Sequence, residues 1–391
     1  MGEINREEQH KAPAASGLDG INVADTRLSD VDGEGGRLIL AGRDVESLAL
    51  KASFEDVCAL LWGAALREDL DADAVRSALA EGRRRAFDRL GSIGDALSAE
   101  DGMDALRAAA SHLGFGSSRA MSAEGANPTK SSSNSTVVGE LAAVTGAVAV
   151  FAAAWARSRE GLEPLAPDES LGHAADFLRM IRGERAPSAL SAALDAYLVT
   201  VSDHGMNAST FAARVVTSTG SDRVSAVVAA IGALKGPLHG GAPGPVLDML
   251  DAIGSPNGAE AWIEAELAAG RRIMGMGHRI YRVRDPRAAV LEQATLRLEQ
   301  AGFMTGRLAL ARAVERAAEG ILKKRYPDRP LRANVEFYTA VLLDSVGLSR
   351  RLFSPAFAAG RVAGWCAHIE EQRAVGRLIR PASRFVGPVL S

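Results

Sequence analysis

The sequence predicts a mainly α-helical protein with a small β element near its N-terminus, and three observations lead to this fold class. Along most of the chain, apolar residues recur at intervals of three and four, as on a helix that buries one face. Alanine is abundant and only 5% of the residues are aromatic, a composition that suits closely packed helices. Short apolar runs divided by Asp-Gly and Gly-Gly pairs occur between residues 17 and 40, where they predict strands.

Helices are expected from Asp44 onwards. Ser53 precedes two acidic residues, Glu55 and Asp56, and a serine in this position is typical of a helix N-cap. Further helices are predicted over residues 74–87, 103–113, 174–181, 187–202, 308–324 and 356–372. Segments rich in Gly, Pro, Ser or Asn predict a disordered tail over 1–16, a mobile surface loop over 114–135, and loops over 236–245 and 274–286.

The most apolar stretch, residues 137–156, contains Glu140 and mainly alanine, whereas a bilayer span needs about 20 strongly apolar residues. We therefore expect a buried helix, in the core or at a subunit interface. Residues 1–15 are polar and lack the apolar core of a signal peptide, which predicts a cytoplasmic protein. Cys58 and Cys366 lie in apolar stretches and are expected to be buried, reduced thiols.

Length and charge limit the classes of function. The chain has 391 residues, more than the ~100–200 of a usual domain, so two domains are expected. The net charge is −3 and the pI ≈ 6.2, which argues against a nucleic-acid-binding surface, because such surfaces are clearly basic. Small anionic substrates remain compatible with this composition, since they require only a few local arginines.

Two histidines and one glutamate carry the chemistry that the sequence suggests. His239 lies in Gly-Pro-Leu-His-Gly-Gly and His278 in Gly-Met-Gly-His-Arg, where glycine lets a ligand approach the backbone closely. Glu336 has apolar neighbours, so its pKa is expected to be raised, as a general base requires. Such a set could remove a proton from a weak acid while two carbonyl oxygens are polarised. Structural roles are also open for two of these residues. His239 could cap a helix that starts near Pro245, and Glu336 could form an ion pair with Arg332.

Arginines in restricted or apolar surroundings predict an anion site. Arg287 follows Pro286, whose fixed backbone suits a guanidinium that forks onto a carboxylate. Arg361 stands in a nearly apolar stretch, where it needs an anionic partner, and Arg380 lies beside a proline. Together, these three arginines are predicted to hold a dicarboxylate.

More basic residues follow His278. Arg279, Arg282 and Arg284 are predicted either to reach phosphates or to form a solvated basic surface. The phosphate-binding patterns GxGxxG and GxxxxGKS/T do not occur in the sequence. His204, beside Gly205, is by itself more typical of a structural histidine near a helix end.

An ordered series of motifs extends over nearly the whole chain. The segments are GLDGI (17–21), SDVDGE (29–34), FEDVCALLW (54–62), SDHGMNAST (202–210), LKGPLHGGA (234–242), MGHRIY (276–281), RDPR (284–287), NVEFY (334–338) and GRLIRP (376–381). Each motif is modest, but the order of the series is specific, and it resembles that of the citrate synthase family.

The resemblance implies an almost all-helical homodimer with its active site in a cleft between a large domain (17–240 and 347–391) and a small domain (241–346). It implies an acyltransferase of the tricarboxylic acid cycle that condenses acetyl-CoA with oxaloacetate to give citrate and CoA. No permanently bound cofactor and no metal are expected. The alternatives are a 2-methylcitrate synthase that uses propionyl-CoA, a non-catalytic protein that binds CoA or organic acids, and a metal site built from His204, His239, His278 and Glu336.

The resemblance also implies roles for individual residues. Glu336 would remove a proton from the acetyl methyl, His239 would hydrogen-bond the thioester oxygen, and His278 would polarise the ketone of oxaloacetate. The implied oxaloacetate ligands are His204, Arg287, Arg361 and, from across the dimer, Arg380; the implied CoA contacts are Gly275, Gly277 and Arg282.

Two departures from the family stand out. Glu336 replaces the usual aspartate, which moves the carboxylate by ~1.5 Å at full reach, and a misplacement of ~1 Å can cost ~100-fold in rate. The Ala-Pro-Gly-Pro run at 242–245 replaces a smoother helix start and could shift His239. Together they point toward a slow or repurposed member of the family.

Overall fold

A computed structural model describes residues 18, 20–114, 134–240, 243–304, 306–383 and 385–388 of the chain. The described residues are mainly helical, as predicted, with a small sheet near the N-terminus. The predicted tail over 1–16 and nearly all of the predicted loop over 114–135 lie outside the described residues.

The β element is a three-stranded antiparallel sheet of β1 (Ser29–Asp32), β2 (Arg37–Leu40) and β3 (Arg43–Asp44). Ser29 of β1 pairs with Leu40 of β2, so the two strands form a hairpin whose turn spans residues 33–36. Leu38 and Leu40 are fully buried, and this alternation along β2 fixes one face of the sheet on the helices.

The described residues contain fifteen α-helices, which begin directly after β3 and continue to residue 375. They are α1 (Val45–Leu48), α2 (Phe54–Leu66), α3 (Ala72–Asp88), α4 (Gly102–Ser111), α5 (Asn134–Arg159), α6 (His173–Arg182), α7 (Ser188–Val201), α8 (Ala208–Ser218), α9 (Arg223–Leu234), α10 (Pro243–Ile253), α11 (Ala259–Ala268), α12 (Pro286–Gln300), α13 (Arg307–Arg325), α14 (Val335–Val346) and α15 (Phe353–Val375). Short 3₁₀ turns lie at Leu90–Ser92, Ala96–Ser98, Pro256–Gly258 and Arg350–Leu352.

Polar N-caps fix where several helices begin. The predicted cap at Ser53 is confirmed as a capping box: its hydroxyl accepts from the Asp56 amide at 3.1 Å, and the Asp56 carboxylate accepts from the Ser53 amide at 2.8 Å. The side chains of Asn207, Asp285 and Asn334 accept from first-turn amides of α8, α12 and α14, as simple N-caps. Each such cap typically contributes ~1 kcal/mol and sets the first turn of its helix.

α5 packs against four other helices, which are α3, α4, α6 and α15. By length and composition alone this helix could cross a membrane, but its most apolar window is 89% buried inside the protein, as predicted for this stretch. Glycines let α3 and α5 approach closely, because a Cβ on Gly82 would lie 2.5 Å from the Ala142 carbonyl oxygen. Cys58 and Cys366 are free and buried, and burial raises the pKa of both thiols.

Helices α10 to α14 form the region that was predicted as the small domain. Within it α12 packs on α14, and α13 packs on α11; α12 and α14 also contact α7 of the other region. The predicted boundary at residue 346 falls at the end of α14, where Gly347 adopts φ +86° as its C-cap. The division into two domains stays a prediction.

Candidate active site

A cleft of ≈ 1230 Å³ collects most of the predicted site residues. Its walls come from the first turns of α8, α12 and α14, from the loops after α9 and before α12, and from α15. Residues 18 and 20–24 lie along one side. The predicted site residues that line it are His204, His239, Gly277, His278, Arg282, Arg287, Glu336 and Arg361. Two of the predicted residues, Gly275 and Arg380, are not among the lining residues of this chain.

His239 bonds to the start of α8. Its Nε2 lies 2.8 Å from Ser209 Oγ, which also accepts a hydrogen bond from Trp365 Nε1 at 3.0 Å. The imidazole therefore has its bonding partner in α8, not in the helix that begins at Pro243. Burial, with the nearby Arg361 guanidinium, lowers the pKa of His239 to about 4, so the ring is neutral at pH 7.

The Ser209 hydroxyl proton decides the tautomer of His239. Asn207 Oδ1 accepts from the backbone amides of Ser209 and Thr210 and also from the Ser209 hydroxyl at 2.7 Å, so His239 Nε2 receives that proton only when the hydroxyl rotates away from Asn207. When the hydroxyl donates to Nε2, the neutral imidazole must carry its own proton on Nδ1. In that arrangement Nδ1–H is available as a hydrogen-bond donor.

Hydrogen bonds from the backbone determine the tautomer of His278. Its Nδ1 lies 3.0 Å from the Ile280 amide and 3.1 Å from the Tyr281 amide, and both amides donate to it. Nδ1 therefore carries no proton, and the neutral ring is protonated at Nε2. Burial, with Arg287 nearby, lowers the pKa of His278 to about 4. The ring therefore carries a neutral Nε2–H donor. Arg287 Nη2 lies 3.5 Å from this nitrogen, and because both groups are donors this contact is not a hydrogen bond.

Two glycines allow the His278 segment to lie against the start of α14. Met276 forms a bridge with Ala333, and the Asn334 amide donates to the Gly275 carbonyl at 2.9 Å. Gly275 and Gly277 have φ values of +72° and +91°, which favour glycine. Gly275 is buried, and a Cβ there would lie 2.9 Å from Phe337 Cβ. The geometry thus gives Gly275 a backbone role and places it behind the cleft wall.

Glu336 occupies the first turn of α14, where its backbone amide donates to Asn334 Oδ1 at 3.0 Å. The side chain is half-buried. Burial raises the pKa of its carboxyl to about 7, with Asp285 adding to the rise and the Arg287 and Arg361 guanidinium groups opposing it. The alternative ion pair with Arg332 is wrong, because that arginine pairs with Glu319.

Arg287 is buried and held by the N-cap of its own helix. Its Nε and Nη2 donate to the two oxygens of Asp285 at 3.0 and 2.7 Å. Asp285 Oδ2 also accepts from the Val335 amide at 3.1 Å. One buried carboxylate thereby ties the arginine to the helix that carries Glu336.

Arg361 is buried, and one nitrogen of its guanidinium makes no hydrogen bond with the described residues. Its Nε donates to the Val201 carbonyl at 2.5 Å, and its Cζ lies 4.8 Å from the centre of the Phe357 ring. Its Nη2 has no hydrogen-bond partner among the described residues. Burial, with Arg287 nearby, lowers the pKa of Arg361 to about 10, so the group stays charged at pH 7. A buried, charged nitrogen without a partner is suited to an anionic ligand.

His204 completes this side of the cleft. It is buried, and its Nε2 lies 3.2 Å from the Tyr281 hydroxyl oxygen. Its ring centre lies 5.7 Å from that of His278. Burial, with the nearby Arg287 and Arg361, holds the pKa of His204 well below its ordinary value.

Not every basic residue after His278 faces the cleft. The prediction that Arg284 reaches phosphates is wrong: it pairs with Glu315 and Glu292 at 2.7 Å, and its Cζ lies 5.1 Å from the centre of the Tyr338 ring. Arg282 lines the cleft and is exposed. Arg380 is exposed in the segment after α15 and meets none of the other site residues within this chain.

Sequence reasoning missed two residues that organise the site, Ser209 and Asp285. Both carry a local signal, since Ser209 follows the N-cap Asn207 and Asp285 stands before a proline, but neither signal identifies a distant partner. Among the described residues, no group of three or more His, Cys, Asp or Glu side chains has a geometry that could hold a metal ion. The alternative metal site therefore finds no support in the geometry.

This fold and this cleft define an enzyme that carries out acid–base chemistry on an anionic substrate. The chain belongs to the citrate synthase family, because the family model "Citrate synthase, C-terminal domain" matches residues 17–382. The citrate synthase of Haloferax volcanii is 38% identical over 376 residues, with 95% of each chain covered. The 2-methylcitrate synthase of Mycobacterium tuberculosis is 38% identical over 382 residues, covering 95% of this chain and 90% of the relative.

Solved structures show the same architecture. The citrate synthase of Thermotoga maritima superposes with a TM-score of 0.79 at 30% identity, covering 96% of each chain. The Thermoplasma acidophilum citrate synthase, solved in a ternary complex with carboxymethyl coenzyme A and oxaloacetate, gives a TM-score of 0.80 at 26% identity, with 96% of each chain covered. The chain is therefore an enzyme of the citrate synthase type, which transfers an acyl group in a condensation.

Proposed function

We propose that this protein condenses acetyl-CoA with oxaloacetate, with Glu336 as the base and His239 and His278 as hydrogen-bond donors. One observation carries the assignment of roles: a carboxyl with a pKa of about 7 and two neutral imidazoles line one cleft with two buried guanidinium groups. A base with a pKa near the working pH and donors that stay neutral are what removal of a weakly acidic proton requires.

In the first step, the Glu336 carboxylate takes a proton from the methyl group of acetyl-CoA. The electron pair of the broken C–H bond moves onto the thioester, whose oxygen accepts a hydrogen bond from His239 Nδ1–H. This donor exists when the Ser209 hydroxyl turns from Asn207 Oδ1 and donates to His239 Nε2, 2.8 Å away. A neutral donor stabilises the developing negative charge without protonating it fully.

In the second step, the nucleophilic carbon attacks the ketone of oxaloacetate. His278 Nε2–H polarises the ketone and supplies a proton to its oxygen as the carbon–carbon bond forms, and the proton that Glu336 took from the methyl group restores the neutral ring. Because the products are citrate and CoA, a water molecule must then hydrolyse the thioester. His204, Arg287 and Arg361 hold the dicarboxylate, and the unused Nη2 of Arg361 supports this assignment.

The exposed segment after α15 supports a homodimer in which Arg380 enters the site of the partner. This segment exposes several large apolar side chains, which is unusual for a free surface. They are Leu378 (54% exposed), Phe385 (71%) and Val386 (82%), and Val375 at the end of α15 is also exposed (60%). We also propose a cytoplasmic location, and closure of the two domains over the cleft during catalysis.

Gly277 and Arg282, which line the cleft beside His278, are proposed as contacts of the CoA moiety. A second candidate activity is the use of propionyl-CoA, which the similarity to a 2-methylcitrate synthase favours. One methylene in a pocket changes discrimination by only ~1–3 kcal/mol, so the two activities are expected to share the same catalytic residues.

The experiment measures CoA release with oxaloacetate and either acetyl-CoA or propionyl-CoA, with the products identified by mass. Turnover with neither thioester would refute the proposed reaction. Glu336→Gln should lower kcat by about 10²–10⁴-fold, the usual contribution of a general base. Glu264→Gln, on the exposed face of α11, is the matched control and should retain full activity. Full activity in Glu336→Gln would remove this residue from the mechanism.

A further inference from the structure

The hairpin of β1 and β2 contacts both the loop that carries His204 and the loop that carries His278. The start of β1 lies beside the turn that contains His204, and the tip of the hairpin lies beside the segment after His278. The two contacts are made by Ser29 and Gly33, which are four residues apart at opposite ends of β1. The hairpin is therefore placed to fix one loop relative to the other.

Ser29, the first residue of β1, bonds to the residues on both sides of His204. Its hydroxyl donates to Asp203 Oδ2 at 2.5 Å and accepts from the Gly205 amide at 2.9 Å. The strand also covers Gly205, where a Cβ would lie 3.4 Å from Val31 Cγ2. Ser29 thus bridges the turn and restricts the backbone from which the imidazole projects.

Asp203 is held from the opposite side by His368 of α15. The carboxylate is fully buried, and His368 Nε2 lies 3.2 Å from its Oδ2. His368 Nδ1 lies 3.0 Å from Arg214 Nη1; because a guanidinium only donates, Nδ1 accepts and Nε2 donates. Asp203 Oδ2 therefore receives one donor from α15 and one from β1. Loss of the Ser29 donor would leave only the helix to orient this carboxylate.

The tip of the hairpin fits the other loop through backbone contact. The Gly33 carbonyl accepts from the Arg282 amide at 2.9 Å. A Cβ on Gly33 would lie 2.5 Å from the Ile280 carbonyl oxygen, so a larger residue would force the two segments apart. This contact holds the backbone that leads from His278 to Arg287.

We propose that Ser29 is a positioning residue for oxaloacetate binding, acting through His204, and that the hairpin sets His204 relative to His278. The inference rests on the proposed function, because it takes His204 to be an oxaloacetate ligand. Ser29 does not line the cleft, so its effect on the substrate is indirect.

The test compares Ser29→Ala and Ser29→Thr with Ser47→Ala. Ser47 is a matched control, since it is exposed on α1 and its hydroxyl donates to the Asp44 carbonyl at 2.7 Å. We expect Ser29→Ala to raise the Kd of oxaloacetate, measured by calorimetry, about tenfold, or ~1.4 kcal/mol. The KM for acetyl-CoA should stay within about twofold. Ser29→Thr keeps the hydroxyl and should restore binding.

A double-mutant cycle separates positioning from general stability. In a His204→Gln background, adding Ser29→Ala should raise the Kd of oxaloacetate by less than about twofold, because Ser29 acts through that histidine. Equal losses in both backgrounds, or an unchanged Kd in Ser29→Ala, would overturn the proposal. A parallel rise in the KM of both substrates with a lower Tm, not rescued by threonine, would also overturn it.

Failure of the proposed function is recognisable separately. If the wild-type protein turns over neither acetyl-CoA nor propionyl-CoA, the reaction assignment fails. The calorimetric measurement still reports whether oxaloacetate binds and whether Ser29 matters for it. An active wild-type enzyme whose oxaloacetate affinity is insensitive to Ser29→Ala refutes the positioning role alone.

Discussion

Replacing Asp285 by asparagine should alter the pH profile, because this buried carboxylate influences both Arg287 and Glu336. It neutralises Arg287 through two hydrogen bonds of 3.0 and 2.7 Å. It also contributes to the raised pKa of Glu336, about 7, which the same arginine opposes. In Asp285→Asn, the negative charge that raises this pKa disappears, and Arg287 is freed to attract the Glu336 carboxylate.

Both effects act in one direction, so the pKa of Glu336 should fall toward its ordinary value. The base is active when ionised, and in the wild type its activity is lost as the pH falls through about 7. In the variant this acidic limb of kcat/KM should move down by at least about one pH unit, which corresponds to ~1.4 kcal/mol. At neutral pH kcat should fall, since the weaker base transfers the proton less readily.

The variant also removes the partner of a buried cation. Breaking a buried pair costs ~3–5 kcal/mol, which urea unfolding would report as a lower free energy of unfolding. Activity is measured from pH 5.5 to 9 with saturating oxaloacetate, on protein whose near-UV spectrum shows it to be folded. An acidic limb that stays at the wild-type pH in folded Asp285→Asn would refute this electrostatic account of Glu336.

Three further substitutions test separate parts of the site. Ser209→Ala should lower kcat about tenfold in steady-state kinetics with little change in the Kd of oxaloacetate, because His239 Nε2 loses the hydroxyl whose proton would keep the His239 proton on Nδ1. Arg361→Met should weaken oxaloacetate binding about 100-fold by calorimetry while the Tm stays equal or rises, since it removes a buried charge without a full set of partners. Gly275→Ala should lower the free energy of unfolding by ~1–3 kcal/mol in urea, because of its φ of +72° and the clash with Phe337.

The helices were the most predictable part of this molecule. Their apolar periodicity and caps are local, so a window of about twelve residues contains the information; the Ser53 cap and the buried helix over 137–156 are examples. The β element was predictable for the same reason, since its turns are rich in glycine.

Ion pairing was less predictable, because it depends on contacts between distant segments. Arg284 has acidic partners 8 and 31 residues away, and nothing in its own segment indicates them. A pair between Arg332 and Glu336, four residues later, was one of two alternatives from the sequence, but Arg332 pairs with Glu319 on α13. The link from Asp285 to the Val335 amide spans 50 residues and is visible only after folding.

The cleft receives the beginnings of three helices, α8, α12 and α14, whose N-caps are Asn207, Asp285 and Asn334. The amide dipoles of a helix add up to a partial positive charge of about half a unit at its N-terminus. The ends of α8 and α14, which neutral asparagines cap, attract anions before any side chain makes contact, whereas the Asp285 carboxylate offsets the partial charge at the end of α12. The capture rate of a dianionic substrate should therefore fall as ionic strength rises, even in variants that lack one of the binding arginines.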